Sequence, residues 1–166
     1  MNRKNTNARV GVLRLHGQFQ LVATEPAPIA AGELLFRIEG EQTSHPTRYS
    51  LQIEERVHID LGEQAPETLL DRYYWRFMNH HCEPSACIRG RDVYAARVIQ
   101  PWEEITFNYN TTEYEMAEAF TCRCESAHCR GDVQGFKQLT TPEREVLRPW
   151  LAPHLLRLLP AEQETE

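Results

Sequence analysis

Four cysteines are placed to hold a metal ion. Cys122, Cys124 and Cys129 read C-x-C-x4-C, and Cys82 precedes them by about forty residues in the stretch RFMNHHCEPS. Four thiolates complete a tetrahedral zinc site with no open position, so such a metal is structural and not an activator of water. Closing the site between Cys82 and the later three staples residues 122–129 onto the polar pair Asn79-His80, and the staple becomes the wall of a pocket. Disulfides suit the pattern less well. The chain has 5 cysteines, an odd number, where a secreted disulfide framework usually has an even one, and two bridges are awkward at C-x-C spacing. An intracellular, reducing compartment follows, the cytoplasm first, with the nucleus or export into a host as alternatives. The fifth cysteine, Cys87 in Ala86-Cys87-Ile88, reads as a small buried hydrophobe. His81 and His128 lie close to the thiols in sequence but read as solvent-facing or locally bonded.

The elements that must position these residues are mostly short strands. Residues 9–24 alternate apolar and polar and turn at His16-Gly17, which predicts two strands. Leu34–Ile38, Tyr49–Ile53, Val57–Leu61, Ile88, Val93–Ala96 and Ile105–Phe107 read as further strands. Pro66 opens a helix over Glu67–Arg76, in which Leu69, Leu70, Tyr73, Tyr74 and Phe77 recur at helical spacing. Asn79–Ser85 reads as irregular. Glu113–Ala119 predicts a short helix capped by Thr111 or Thr112, and residues 121–131 a metal knuckle without periodicity. From Thr141 a Thr-Pro-Glu start signal and Leu147, Trp150, Leu151, Leu155 and Leu158 predict helix, broken at Pro149 and Pro153. The sum is one mainly β, β-rich α+β domain and not a doubly wound sheet.

The 166 residues suffice for one domain with a real core. No apolar run approaches a membrane span, and the N-terminus lacks the apolar segment of a secretory signal. The net charge of −6 disfavours direct binding of nucleic acid and suits a basic protein partner. Arg3, Lys4, Arg9 and Arg14 at one end and Glu162, Glu164 and Glu166 at the other read as solvated tails. Oligomeric state is left open.

Three motifs in order resemble a known family. Arg76-Phe77-Met78-Asn79-His80-His81-Cys82-Glu83-Pro84 is similar to the first signature of SET domains. Ile105-Thr106-Phe107-Asn108-Tyr109 resembles their second signature, which ends in the active-site tyrosine. Cys122-Arg123-Cys124 with Cys129-Arg130-Gly131 resembles the post-SET zinc knuckle, and Ile29–Gly40 resembles the family's early turn and strand. The resemblance covers roughly residues 9–135. It implies a SET domain over 9–110, a post-SET zinc segment over 111–135 and, beyond it, a helical extension over 136–160. It implies small curved sheets whose C-terminal strand threads knot-like beneath an earlier loop.

SET domains are S-adenosylmethionine-dependent protein lysine methyltransferases, so the resemblance implies that activity, with a lysine-bearing protein as substrate and histones among the candidates. The alternative is a catalytically weak or inactive zinc-binding interaction module. The resemblance implies cofactor contacts from Asn79, His80, Arg76, Phe77 and Gly17, a catalytic Tyr109 at the inner end of a lysine channel, and a Phe107 that sets how many methyl groups fit, phenylalanine going with di- or trimethylation. Tyr49 matches a second channel aromatic and is equally readable as core. Without the resemblance, Asn79-His80 is a polar turn before Pro84, Phe107 core and Tyr109 a strand-end aromatic.

The chemistry suits these residue types. Methyl transfer from a sulfonium to a neutral amine needs alignment more than charge stabilisation, and a narrow aromatic channel beside a positive sulfonium disfavours the ammonium form of lysine. Two departures stand out. The family's early Gly-x-Gly loop is His16-Gly17-Gln18-Phe19 here, and the turn before the second signature carries Trp102 where glycine is usual. A left-handed conformation is costly for tryptophan, which predicts a different turn type there.

Overall fold

The computed structural model describes residues 9–161. Arg3, Lys4, Glu162, Glu164 and Glu166, expected on solvated tails, lie outside the described residues. Arg9 is no solvated tail residue: it pairs with Glu25 at 2.8 Å and with Glu33 at 2.7 Å.

β1 (Val10–Leu15) and β2 (Gln18–Ala23) form a hairpin in which Leu15 faces Gln18. His16 (φ 49) and Gly17 (φ 81) make its two-residue turn, as the right-handed twist of hairpin strands requires. β3 (Leu34–Arg37) and β4 (Glu41–Thr43) follow, the latter unforeseen because its Glu-Gln-Thr carries no apolar alternation. Gly40 joins them at φ 149, where an added Cβ would stand 2.6 Å from the Ile59 side chain, so only glycine fits there. β5 (Leu51–Glu54) and β6 (Val57–Asp60) make the next hairpin, with β4 on the other edge of β6.

The helix expected over 67–76 is only α1 (Pro66–Asp71), followed by a 3-10 turn at Tyr74–Phe77. Breaking at Tyr73 buries Tyr74 and Trp75, and Trp75 donates its indole N–H to the Glu39 carbonyl at 2.8 Å, the partner a buried indole needs.

The segment expected to be irregular contains β7 (Asn79–His80). β8 (Ala86–Arg89) and β9 (Asp92–Ala95) form a hairpin that joins β3 in the order β3-β9-β8. β10 (Thr106–Phe107) then pairs with β7 in parallel, Thr106 against Asn79 and Phe107 against His80. A parallel pair needs a crossover, here the β8–β9 hairpin, and the pair is what sets the two signatures side by side.

The core lies between these small sheets, with Leu21, Ile29, Ile38, Ile59, Ile88, Val93, Ile99 and Ile105 fully buried. Cys87 is buried as expected. Trp102 does take the left-handed conformation (φ 65), against expectation. Its N–H donates to Ala23 O at 2.8 Å, which holds the turn despite a cost of about 1–2 kcal/mol, and its ring is exposed.

No helix forms over 113–119. Distant partners claim the backbone there: Met116 N–H donates to Gln134 O at 2.9 Å, Phe136 N–H to Glu113 O at 2.9 Å and Lys137 N–H to Tyr114 O at 2.9 Å. β11 (Phe120–Thr121) and β12 (Asp132–Val133) pair antiparallel and bracket the knuckle. The C-terminal stretch gives α2 (Thr141–Leu147) and α3 (Pro153–Leu156), with a 3-10 turn at Arg148–Trp150 between them. Thr140 and Glu143 form a full capping box, and the breaks fall at Pro149 and Pro153 as expected. Phe136, Leu139, Leu147, Leu151 and Leu155 make a second small core. Among the described residues no helix is long and apolar enough to cross a membrane.

Candidate functional site

A cleft of about 990 Å³ runs between β2, the β7–β10 pair and the knuckle. Asn79, His80, Arg76, Phe107, Tyr109 and Tyr49 all line it, as do Cys122 and Cys124. Gly17 and Phe77 are not on its wall. Gly17 sits in the hairpin turn, and Phe77 packs against Phe19 with ring centroids 5.0 Å apart. Gln18 and Gln20 of β2 face the cleft in that region.

The parallel pair sets the geometry. Tyr109 N–H donates to His80 Nδ1 at 3.1 Å, and the Tyr109 hydroxyl donates to Met78 O at 2.8 Å. The phenol therefore keeps its oxygen lone pairs for an incoming donor. Burial first, then the Glu113 and Glu104 carboxylates, push its pKa up, so it stays protonated. The Phe107 and Tyr109 rings lie 4.6 Å apart, and Tyr109 meets Phe120 edge-on at 5.8 Å. Asn79 spends Nδ2 on Phe19 O (3.0 Å) and Glu104 (2.8 Å), which leaves its Oδ1 as the acceptor. Tyr49, half exposed, stacks between Arg48 at 5.2 Å and Arg76 at 4.2 Å.

The Cys82, Cys122, Cys124 and Cys129 sulfurs lie within 4.8 Å of one another, and Cys82 and Cys122 are 3.9 Å apart. Zinc at about 2.3 Å from each of four sulfurs would set them about 3.8 Å apart, so the donor set fits zinc in chemistry and in spacing. Burial raises the Cys82 thiol to about 11. At Cys124 burial is outweighed by the backbone N–H groups of Cys82 and Ser126 and by the neighbouring thiols, which bring it down to about 6. His80 Nε2 lies 3.4 Å from Cys82 Sγ. Since Nδ1 accepts from Tyr109, Nε2 carries the proton and donates to that sulfur, as outer-shell partners of metal ligands do. Burial, then His81, lower His80 to about 4, so its ring is neutral. His81 accepts from Glu83 N–H and His128 is exposed; neither joins the sulfur cluster.

Sequence reasoning passed over Glu113. Its carboxylate is buried at the cleft wall, accepts from Gln52 N–H at 2.7 Å, and lies 3.8 Å from His58 Nε2. That contact is not a true ion pair. Burial raises Glu113 to about 7 and lowers His58, each toward its neutral form. No periodicity could have revealed it, because its partners lie about sixty residues away.

Glu113→Gln keeps the acceptor for Gln52, and its effect on stability depends on pH. With the folded pKa about 7 against an ordinary 4.5, the native state holds a proton the unfolded state has lost. The parent therefore loses stability as pH rises from 4.5 toward 7. The stability difference should move toward the variant by up to about 3 kcal/mol over that window. Urea unfolding of both proteins at pH 5 and pH 8 measures it, and a constant difference would show that the carboxyl is not held protonated.

Comparison with known proteins gives the family. The model of the SET domain matches residues 18–110. The histone-lysine N-methyltransferase, H3 lysine-36 specific, of Yarrowia lipolytica is 33% identical over 137 residues, 72% of this chain and 17% of that protein. The methyltransferase flvH of Aspergillus flavus is 35% identical over 95 residues, 54% of this chain and 51% of its own length. The histone-lysine N-methyltransferase ash1 of Drosophila melanogaster is 35% identical over 75 residues, 40% of this chain and 3% of that protein. The chain thus spans about half or less of the length of these relatives. Among solved structures, KRYPTONITE, crystallised with mCHG DNA and SAH, shares the fold with a TM-score of 0.55 at 22% identity, over 74% of this chain and 28% of that one. The family match runs from β2 through β10 to the turn that holds Tyr109, the part of the molecule that brings both signatures to one cleft, and the chain belongs to the SET-domain family.

Proposed function

We propose that the protein is an S-adenosylmethionine-dependent protein-lysine N-methyltransferase. The proposed units are a SET domain over 9–110, a post-SET zinc segment over 111–135 and a helical extension over 136–160. The observation that carries the reading is the β7–β10 pair, which sets Asn79 and His80 against Phe107 and a Tyr109 phenol with free lone pairs, in a cleft beside four clustered thiols of which Cys122 and Cys124 line the wall. Relatives named as histone-lysine methyltransferases and SAH in the KRYPTONITE structure support it.

The cleft suits the cofactor. Its lining mixes the acceptors Asn79, Glu104 and Glu113 with the cations Arg76 and Arg48, which match a molecule carrying a sulfonium, a carboxylate and a polar adenine edge. Asn79, His80 and Arg76 would hold it, and when bound it supplies an activated methyl group. Phe107 and Tyr109 exclude water from the inner end of the channel and so disfavour the ammonium form of lysine. The Tyr109 oxygen accepts an N–H of the neutral amine and aims its lone pair. Cys82, Cys122, Cys124 and Cys129 would hold a structural zinc, with no coordination position left for water. Such thiolates persist where thiols stay reduced. A substrate lysine on a basic protein, histone tails first, fits a chain of net charge −6.

An interaction module without turnover would have no need of a protonated phenol held against Met78 in an aromatic channel. Incubation with labelled S-adenosylmethionine and core histones or a cell lysate, followed by mass spectrometry of modified lysines, tests the reading. Bound cofactor with no labelled protein would sink it. Within it, Phe107→Tyr should shift products toward monomethyl-lysine, because the added hydroxyl occupies space a second methyl needs. An unchanged product ratio would remove Phe107 from the channel.

A further inference from the structure

Residues 136–160 lie outside the family match, and none of them lines the cleft. Yet they hold the turn that carries Tyr109. The turn Tyr109–Thr111 is a short 3-10 element, and Asn110, Thr111 and Thr112 are fully buried. Three consecutive carbonyls after Asn110 each receive a donor from the C-terminal segment. Ala152 N–H donates to Thr111 O at 2.8 Å and Phe136 N–H to Glu113 O at 2.9 Å. His154 Nε2–H donates to Thr112 O at 2.7 Å. Beside them, Gly135 N–H donates to Asn110 Oδ1 at 3.0 Å. Gly135 must be glycine to come so close, since a Cβ there would lie 2.7 Å from Tyr114 O.

His154 is the one side chain among these donors. It stands on α3 and is buried, with Nε2 against Thr112 O and the Ile53 carbonyl also beside the ring. Burial lowers its pKa, which keeps the ring neutral and leaves the single proton on Nε2, where Thr112 needs it. A buried carbonyl stripped of its donor is costly. The turn's own bonds run from the Thr111 and Thr112 N–H groups back to Asn108 O and Tyr109 O and give the carbonyls of residues 111–113 no donor, so without His154 the turn would repack and carry the phenol with it. A shift of about 1 Å at a reacting group is enough to cost a large factor in rate.

We propose that the C-terminal helices clamp the 109–113 turn from behind, with His154 as a positioning residue that fixes the Tyr109 phenol for methyl transfer. The proposal rests on the methyltransferase reading above. It assigns the extension a part in turnover, although nothing in it touches the cleft.

The test compares His154→Ala with His154→Gln, whose amide N–H can replace Nε2–H. His154→Ala should lower kcat by about tenfold or more, leave the KM for S-adenosylmethionine within about twofold, and speed hydrogen exchange of the amides of residues 109–113. His154→Gln should recover most of both. A generally loosened protein would instead exchange faster throughout and lose cofactor affinity as well, which overturns the proposal. So does an unchanged kcat, or a glutamine variant no better than alanine. If His154→Ala does not fold, His154→Asn, too short to reach Thr112, takes its place against His154→Gln. Should the parent protein transfer no methyl group at all, the methyltransferase reading fails, and the clamp stands or falls on the exchange rates alone.

Discussion

Tyr109→Phe should lower kcat by about 10²–10³-fold, while affinity for S-adenosylmethionine should change by less than about threefold. The ring stays, so the aromatic channel with Phe107 and Phe120 keeps its shape and its exclusion of water. The oxygen that aligns the amine is lost, an interaction made where the methyl group moves and not where the cofactor binds. Met78 O loses its donor as well, which costs about 1–3 kcal/mol of stability. Activity is therefore read at a temperature where circular dichroism shows the variant folded. Labelled methyl transfer and calorimetric titration of the cofactor measure the two quantities. Equal turnover in the variant would take Tyr109 out of the chemistry. A parallel fall in affinity would make it a cofactor contact instead.

Cys124→Ser, or exhaustive chelation, should abolish turnover by a different route. A structural zinc is worth on the order of 10 kcal/mol to the segment it closes. Without it, the two-residue β11–β12 pairing closes the knuckle only on itself, and the knuckle is left to contacts such as Ser126 Oγ–H on Glu83 and Phe120 against His80 to hold it to the Cys82 stretch. Phe120, Thr121 and Arg123 line the cleft, so loss of the metal removes one wall of the site. Metal analysis should find one zinc per chain in the parent and less in the variant. Hydrogen exchange should rise across 118–133 and stay low in the β3-β9-β8 sheet. Cys124 is the better choice over Cys82, whose sulfur also accepts from His80. Full activity in metal-free protein would refute the stapled wall.

Much of this could be read along the chain because the causes are local. The hairpin turn at His16-Gly17, the helix start at Thr141-Pro142-Glu143, and the breaks at Pro149 and Pro153 each depend on residues within one turn of one another. The two signatures and the C-x-C-x4-C spacing carry their chemistry in adjacent positions too. Where local pattern failed, distant backbone had outbid it. Helical spacing over 67–76 lost to the burial of Tyr74 and Trp75, whose indole bonds Glu39. The helix expected at 113–119 lost the Met116 N–H to Gln134 O, and its Glu113 and Tyr114 carbonyls to the N–H groups of Phe136 and Lys137. Trp102 took a conformation that its side chain disfavours because Ala23 offered a carbonyl.

Residue types and spacing alone pointed to the thiol cluster and the β-rich architecture, and the resemblance of two short signatures to a family pointed to Tyr109 and the Asn79-His80 pair, since each is a property of a short stretch. The parallel pairing of β7 with β10, the buried Glu113 beside His58, the neutral tautomer of His80 and the grip of His154 on Thr112 came from the folded molecule. Each joins groups separated by about thirty to sixty residues, and an unpaired donor finds its acceptor only once the topology has brought the two together.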